Sequence, residues 1–205
     1  MHAKKISLWL VAIFFLAAPL SCTSQPPRAV SEFAAIRSHP YVGLYDYRPA
    51  TGGPRTEVIV QAGADFKVAD LGGKNSDTES FDLRGHLTTC TNHTGAWACH
   101  NVRNESSLPP GATLSPTRTL AVMTRIFGDQ HLSSGSRVVN GLRLKCLTGA
   151  NKNEKRILCL TALGVIGYSR TVIKGRAFTL ILAKATMSVP PGQFLLPATP
   201  APGAG

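Results

Sequence analysis

The chain has 205 residues, 43% of them hydrophobic, with 22 Lys and Arg against 11 Asp and Glu and a formal charge of +11. That is enough for one domain with a sizeable core, and no repeat of solenoid length is visible. The basic residues are scattered, without an aromatic-interleaved patch or binding motif, which argues against a nucleic-acid partner. A solvated basic surface remains, of the kind drawn to anionic lipid headgroups or acidic wall polymers.

Met1 to Lys5 are basic, and Ile6 to Leu20 follow as an apolar run interrupted only by Ser7 and Pro19. This is the layout of a secretory signal, predicted over residues 1–21. The run is shorter than the roughly 20 residues of a spanning helix. The junction Pro19-Leu20-Ser21-Cys22 resembles a bacterial lipobox, in which the cysteine receives diacylglycerol and becomes the new N-terminus. Pro19 departs from that pattern, so ordinary cleavage near Ser21 or Ser24, giving a secreted protein, stays open. Two or three acyl chains, at about 0.8 kcal/mol per buried methylene, would hold a soluble domain at the membrane surface. Residues 22–29 then read as a flexible linker, and residues 30–197 as one domain.

Pro27 to Arg37 is predicted as a short helix with Val30, Phe33, Ala34 and Ile36 on one side, stopped by Pro40. Short β-rich runs follow at Tyr41–Tyr47, Glu57–Gln61, Phe66–Leu71, Ser80–Leu83, His86–Cys90 and Ala96–Val102. Glycine-rich turns separate them, so this half reads as an antiparallel meander. Ser115 and Pro116 have the chemistry of a helix cap and first turn, and Leu120, Met123, Ile126 and Phe127 recur at helical spacing before Gly128. That stripe suits core packing or the lining of a ligand site. Strands resume at Arg137–Leu147, Arg156–Leu160, Tyr168–Ile173 and Arg176–Met187, with Lys174-Gly175 as a tight turn. Ala177 to Ala183 is apolar on both faces, which calls for cover on both sides, one by the helix and one by a ligand or a loop. Ala198 to Gly205 contains only Ala, Thr, Pro and Gly and is expected to be a disordered tail.

Apart from Cys22 there are four cysteines, Cys90, Cys99, Cys146 and Cys159. An even number in an exported chain reads as two disulfides. Three pairings are open, and Cys90–Cys99 with Cys146–Cys159 is favoured because each pair lies within one candidate hairpin. Trp97 would pack on the first. His86, Cys90, His93, Cys99 and His100 are zinc-ligand types, but the spacing is wrong for a Cys-x-x-Cys knuckle and a disulfide removes both thiolates. No nucleophile elbow, zinc-protease motif, phosphate loop or carboxylate pair stands out, so neither an enzyme nor a cofactor is expected. Asn92-His-Thr94 and Asn104-Glu-Ser106 match the glycosylation pattern, which has no meaning beside a bacterial lipobox.

Ser136 to Cys146, Cys159 to Ser169, the long strand after it and Val189-Pro-Pro-Gly-Gln-Phe194 together resemble exported actinobacterial lipoproteins of the LolA and LprG type. Tyr45-Asp-Tyr47, Val58-Ile-Val60, Phe66 to Asp70 and Cys90 to Cys99 sit in the order that likeness requires. It implies an α+β fold: a curved antiparallel half-barrel with one or two helices on its concave face, around an apolar cavity. The protein would then be a carrier or binding protein for a lipid or other apolar molecule. Candidate lining residues are Val58, Val60, Phe66, Val68, Leu120, Met123, Ile126, Phe178, Leu180 and Leu182. The alternative is an envelope sensor or interaction protein with a filled core, binding a protein or wall partner. Replacing Cys22 with serine is expected to move the protein from the membrane to the soluble fraction with an unchanged circular dichroism spectrum; retention in the membrane would place the anchor elsewhere.

Overall fold

The computed structural model describes residues 28–71, 77–103 and 105–201. The expected signal segment, Cys22 and most of the expected linker lie outside them. Among the described residues, no helix is long and apolar enough to cross a membrane. A short helix α1 (Arg28–Ala34) leads into a first meander: β1 (Tyr41–Arg48), β2 (Arg55–Ala62), β3 (Asp65–Asp70), β4 (Thr78–Leu83), β5 (His86–His93) and β6 (Ala96–Val102). Helix α2 (Pro116–Phe127) connects it to a second: β7 (Leu132–Val139), β8 (Leu142–Ala150), β9 (Glu154–Leu160), β10 (Ile166–Ile173) and β11 (Arg176–Thr186). All 11 strands form one open antiparallel sheet in the order β6-β5-β4-β3-β2-β1-β11-β10-β9-β8-β7. The fold is therefore mainly β, an α+β arrangement with two helices on a large sheet.

The expected single strand Arg137–Leu147 is instead the end of β7, a turn and the start of β8. Asn140 and Gly141 both have positive φ, 50° and 78°, so the chain reverses in two residues. Such a turn matches the twist of the strands it joins, and asparagine followed by glycine tolerates it best. Arg84-Gly85, Thr94-Gly95 and Lys174-Gly175 turn the same way.

Side-chain alternation divides the sheet into two faces. On one, Tyr41, Tyr45, Ile59, Phe66, Val68, Leu147, Leu158, Phe178, Leu180 and Leu182 form the main core with Phe33 of α1 and Met123 and Phe127 of α2. α1 packs on β7 and β8, and α2 on β7, β8 and β9. The far face carries two smaller clusters, each built around a disulfide. Cys90 and Cys99 are direct cross-strand partners, bonded beside Phe81 with Trp97 packed against them. Cys146 and Cys159 are partners on β8 and β9, among Leu144, Ile157 and Tyr168.

The far-face cover over β11 is a loop, the turn between β7 and β8. Ile181 packs into the second disulfide cluster with Val139, and the Asn140 side-chain amide donates to the Leu182 carbonyl at 3.1 Å. The β7–β8 tip thus touches a strand three places away, which strands about 4.8 Å apart in a flat sheet would not allow. At the C-terminus, Leu196 and Ala198 pack against the Phe81–Cys90–Cys99 cluster, and the Ala201 N–H donates to the Cys99 carbonyl at 2.9 Å. Described residues of the expected disordered tail therefore lie on the sheet beside β6.

Two disulfides are the mark of a protein that folds outside the cytoplasm. Thiol titration of the denatured, unreduced Cys22→Ser protein is expected to find no free thiol, and opening Cys146–Cys159 by a Cys146→Ser, Cys159→Ser double change to cost about 2–4 kcal/mol. Two or more free thiols per chain would contradict this framework.

Candidate functional site

The site is assembled from the first meander and the segment that precedes α2. Across β1, β2 and β3 the register sets Tyr45 opposite Glu57, Tyr47 opposite Arg55, Glu57 opposite Asp70, and Ile59 opposite Val68. These side chains share the helix-bearing face because facing residues in a ladder point the same way. Residues 108–115 cross above this face. Pro109 and Pro110 stiffen the segment. At Gly111 it approaches the sheet so closely that a Cβ would lie 2.2 Å from the Phe178 ring, and φ there is +82°. The Tyr47 hydroxyl donates to the Gly111 carbonyl at 3.3 Å.

The far end of this segment is fastened by charge. Ser115 caps α2, its Oγ accepting from the Arg118 N–H at 3.3 Å and donating to Asp82 Oδ2 at 3.1 Å. Arg118 grips Asp82 with two nitrogens, at 2.8 and 2.9 Å, and reaches Glu105 with a third at 2.8 Å. These hydrogen bonds raise the pKa of Arg118, those to Asp82 first, and hold the Glu105 carboxyl below its ordinary range. The two-pronged geometry makes the clamp directional.

Between the clamp and the sheet lies a cavity of about 420 Å³. Phe66, Val68, Leu87, Leu108, Leu114 and Phe178 supply its apolar wall. Its polar side holds Glu57, Asp70, Arg55 and Asp82, with the hydroxyls of Thr78, Ser80, Thr89 and Thr113 around it. Arg55 bridges to Asp70 at 2.7 Å and lies over the Tyr47 ring, 4.9 Å from its centre, while its Nε is buried without a hydrogen bond. Glu57 is 6% exposed and accepts a hydrogen bond from the Thr113 hydroxyl at 2.9 Å. Burial is the main cause that pushes its carboxyl up to about 7, with Asp70 adding to the rise and Thr113 and Arg55 opposing it. A second cavity of about 270 Å³ lies on the other side of the segment, against α2 and β10.

Of the residues expected to line a site, Phe66, Val68 and Phe178 do border the cavity of about 420 Å³. Leu180 and Leu182 are core, although Leu180 touches a small crevice under Gly111. Met123 is fully buried in the core with Leu120 packed beside it, and Ile126 borders the second cavity. Val58 and Val60 do not belong with Phe66 and Val68. Pairing of Ile59 with Val68 and of Gln61 with Phe66 puts the odd-numbered residues of β2 on the helix-bearing face and turns Val58 and Val60 to the far one. In a strand a one-residue error inverts every assignment. Residues not anticipated are Glu57, Arg55 and the 108–115 segment. A charged residue inside the β-rich run Glu57–Gln61 was the available signal. Among the described residues no His, Cys, Asp and Glu cluster suits a metal ion.

No protein-family model matches the chain, and no curated protein does. Among solved structures it is similar to PNGF-II in two crystal forms, described as the P21 and C2 space groups. The identity is 7% in both, with TM-scores of 0.47 and 0.45, over 81% of this chain. The chain spans 32% and 31% of the PNGF-II chains, and a likeness at this level carries neither fold nor activity across.

A carboxyl raised to about 7 makes the folded state bind more protons than the unfolded one between the ordinary glutamate value and that pH. Ionising Glu57 therefore costs stability, which falls as pH rises through this window, by about 3 kcal/mol from this group. Glu57→Gln keeps an acceptor for Thr113 and removes the charge. Urea unfolding at pH 5 and pH 8 is expected to show the variant gaining on the parent at pH 8; an equal difference at both pH values would mean that Glu57 does not titrate there.

Proposed function

We propose that the protein is an exported binding protein, held at the membrane surface through Cys22, that sequesters a lipid or other apolar-chain molecule without covalent chemistry. The single observation that carries this reading is the cavity of about 420 Å³ between β1–β5 and residues 108–115, with its apolar wall of Phe66, Val68, Leu87, Leu108, Leu114 and Phe178. Its size lies in the range of sites for small molecules, and its aromatic and aliphatic wall suits a hydrocarbon chain, with Glu57, Asp70, Arg55 and Asp82 on the other side. On this reading the open sheet acts as a half-barrel, with the segment before α2 as its cover, as in the LolA and LprG carriers that the sequence resembles. Sequestration suits the cavity's chemistry: Glu57 is hydrogen-bonded to a threonine hydroxyl, and Asp82 is tied up by Arg118.

The test is organic-solvent extraction of the purified full-length protein followed by mass spectrometry, which is expected to find a chain-bearing lipid at near-stoichiometric amounts. A clean extract, together with no binding of added lipid, would overturn the carrier role in favour of an envelope interaction protein. Two tryptophan variants locate the ligand. Leu87→Trp fills cavity volume and is expected to reduce bound lipid several-fold, with a stability change within about 1 kcal/mol. Met123→Trp overpacks a fully buried core position and is expected to cost about 1–3 kcal/mol or more.

A further inference from the structure

The charge of the cavity runs against the charge of the protein. The chain has 22 basic and 11 acidic residues, yet among the described residues three of those acids, Glu57, Asp70 and Asp82, line this one cavity against a single basic residue, Arg55. Two of the three are already neutralised. Asp70 is bridged by Arg55 at 2.7 Å and Asp82 by Arg118 at 2.8 Å. Glu57 is left with the neutral hydroxyl of Thr113 and, among the described residues, has no ion-pair partner. A carboxylate nine-tenths buried without a cation is costly, and a ligand that supplies the cation would recover that cost.

The surroundings of Glu57 leave the role open to a ligand. β1 contributes Tyr45 directly opposite and Tyr47 beside it, β2 contributes Arg55, β3 contributes Asp70, β4 contributes Asp82, and residues 108–115 contribute the uncharged Thr113. Arg118, from α2, is committed to Asp82 and Glu105. An anionic headgroup would meet Glu57 and Asp70 together, and Arg55, already paired, could not offset both.

Building on the binding role given above, we propose that the cavity selects amphiphiles bearing one cationic amino group, with the ammonium against Glu57 and the hydrocarbon along Phe66, Val68 and Leu87. Binding then follows the ionisation of Glu57, strengthening as pH rises while the amine stays protonated. The experiment compares decylamine, decanol and decanoate by isothermal titration against the full-length, delipidated protein at pH 5 and pH 8, all below their micelle concentrations. Decylamine is expected to bind about tenfold or more tighter than either other compound at pH 8, the worth of one charge-assisted contact. That preference is expected to shrink to about threefold or less at pH 5. Glu57→Gln is expected to abolish the pH 8 preference, with an unchanged circular dichroism spectrum reporting that the variant is folded; a preference that survives the change overturns the role of Glu57. Equal binding of the three compounds at pH 8, or tighter binding of decanoate, overturns the amine selectivity and leaves the apolar-ligand reading standing. Absence of binding by all three removes that reading, and the selectivity with it.

Discussion

The pairing of β1 with β11 is the contact on which the rest of the molecule depends. Each meander is built from local hairpins, and only this non-local ladder, running from Val42 opposite Thr186 to Arg48 opposite Thr179, makes them one sheet. Its closure brings the start of the domain to its end, a costly step in chain entropy that the burial of Tyr41, Tyr45, Leu180 and Leu182 offsets. β1 then serves both halves. Tyr45 reaches over β11 to donate to the Ile166 carbonyl at 2.8 Å, while Tyr47 supports residues 108–115 through Gly111. Without this ladder the main core would be split and the cavity would lose one wall.

The two halves are finished differently. The second has both helices packed on it and, with them, holds most of the main core. Neither helix packs on the first as it does on the second: α2 reaches it through Arg118 on Asp82, and residues 108–115 cross it. A stretch of loop cannot fill the space that a helix would, and the volume left over is the cavity. The Arg118 clamp matters for this reason. It ties the segment to β4 at one end by charge, and Phe178 beneath Gly111 limits its approach in the middle. The disulfides lie on the opposite face, one in each half, where the hydrophobic clusters are too small to hold the outer strands by burial alone.

A neutral or ionised Glu57 gives this cavity two characters. Protonated, it is a hydrogen-bonding spot beside the apolar wall; ionised, it faces Asp70 across the ladder and, among the described residues, has no ion-pair partner. The net charge of the chain is thus basic while three acids line its cavity.

Local features could be read directly from residue order. The α2 helix runs from Pro116 to Phe127 as its cap, proline and stripe indicate, and both disulfides join cysteines that face each other across a single hairpin. These are short-range properties, settled by φ preferences, helical periodicity and chain proximity. Tertiary structure alone decided which face of β2 turns inward, since Val58 and Ile59 are equally apolar and only pairing with β3 separates them. It also decided that Met123 is core, that the β7–β8 tip covers Ile181, and that Glu57 is buried beside Asp70. The physical reason is the same in each case. Burial and charge pairing arise between segments distant along the chain, and the amino-acid pattern of one strand carries no record of what the rest of the fold brings against it.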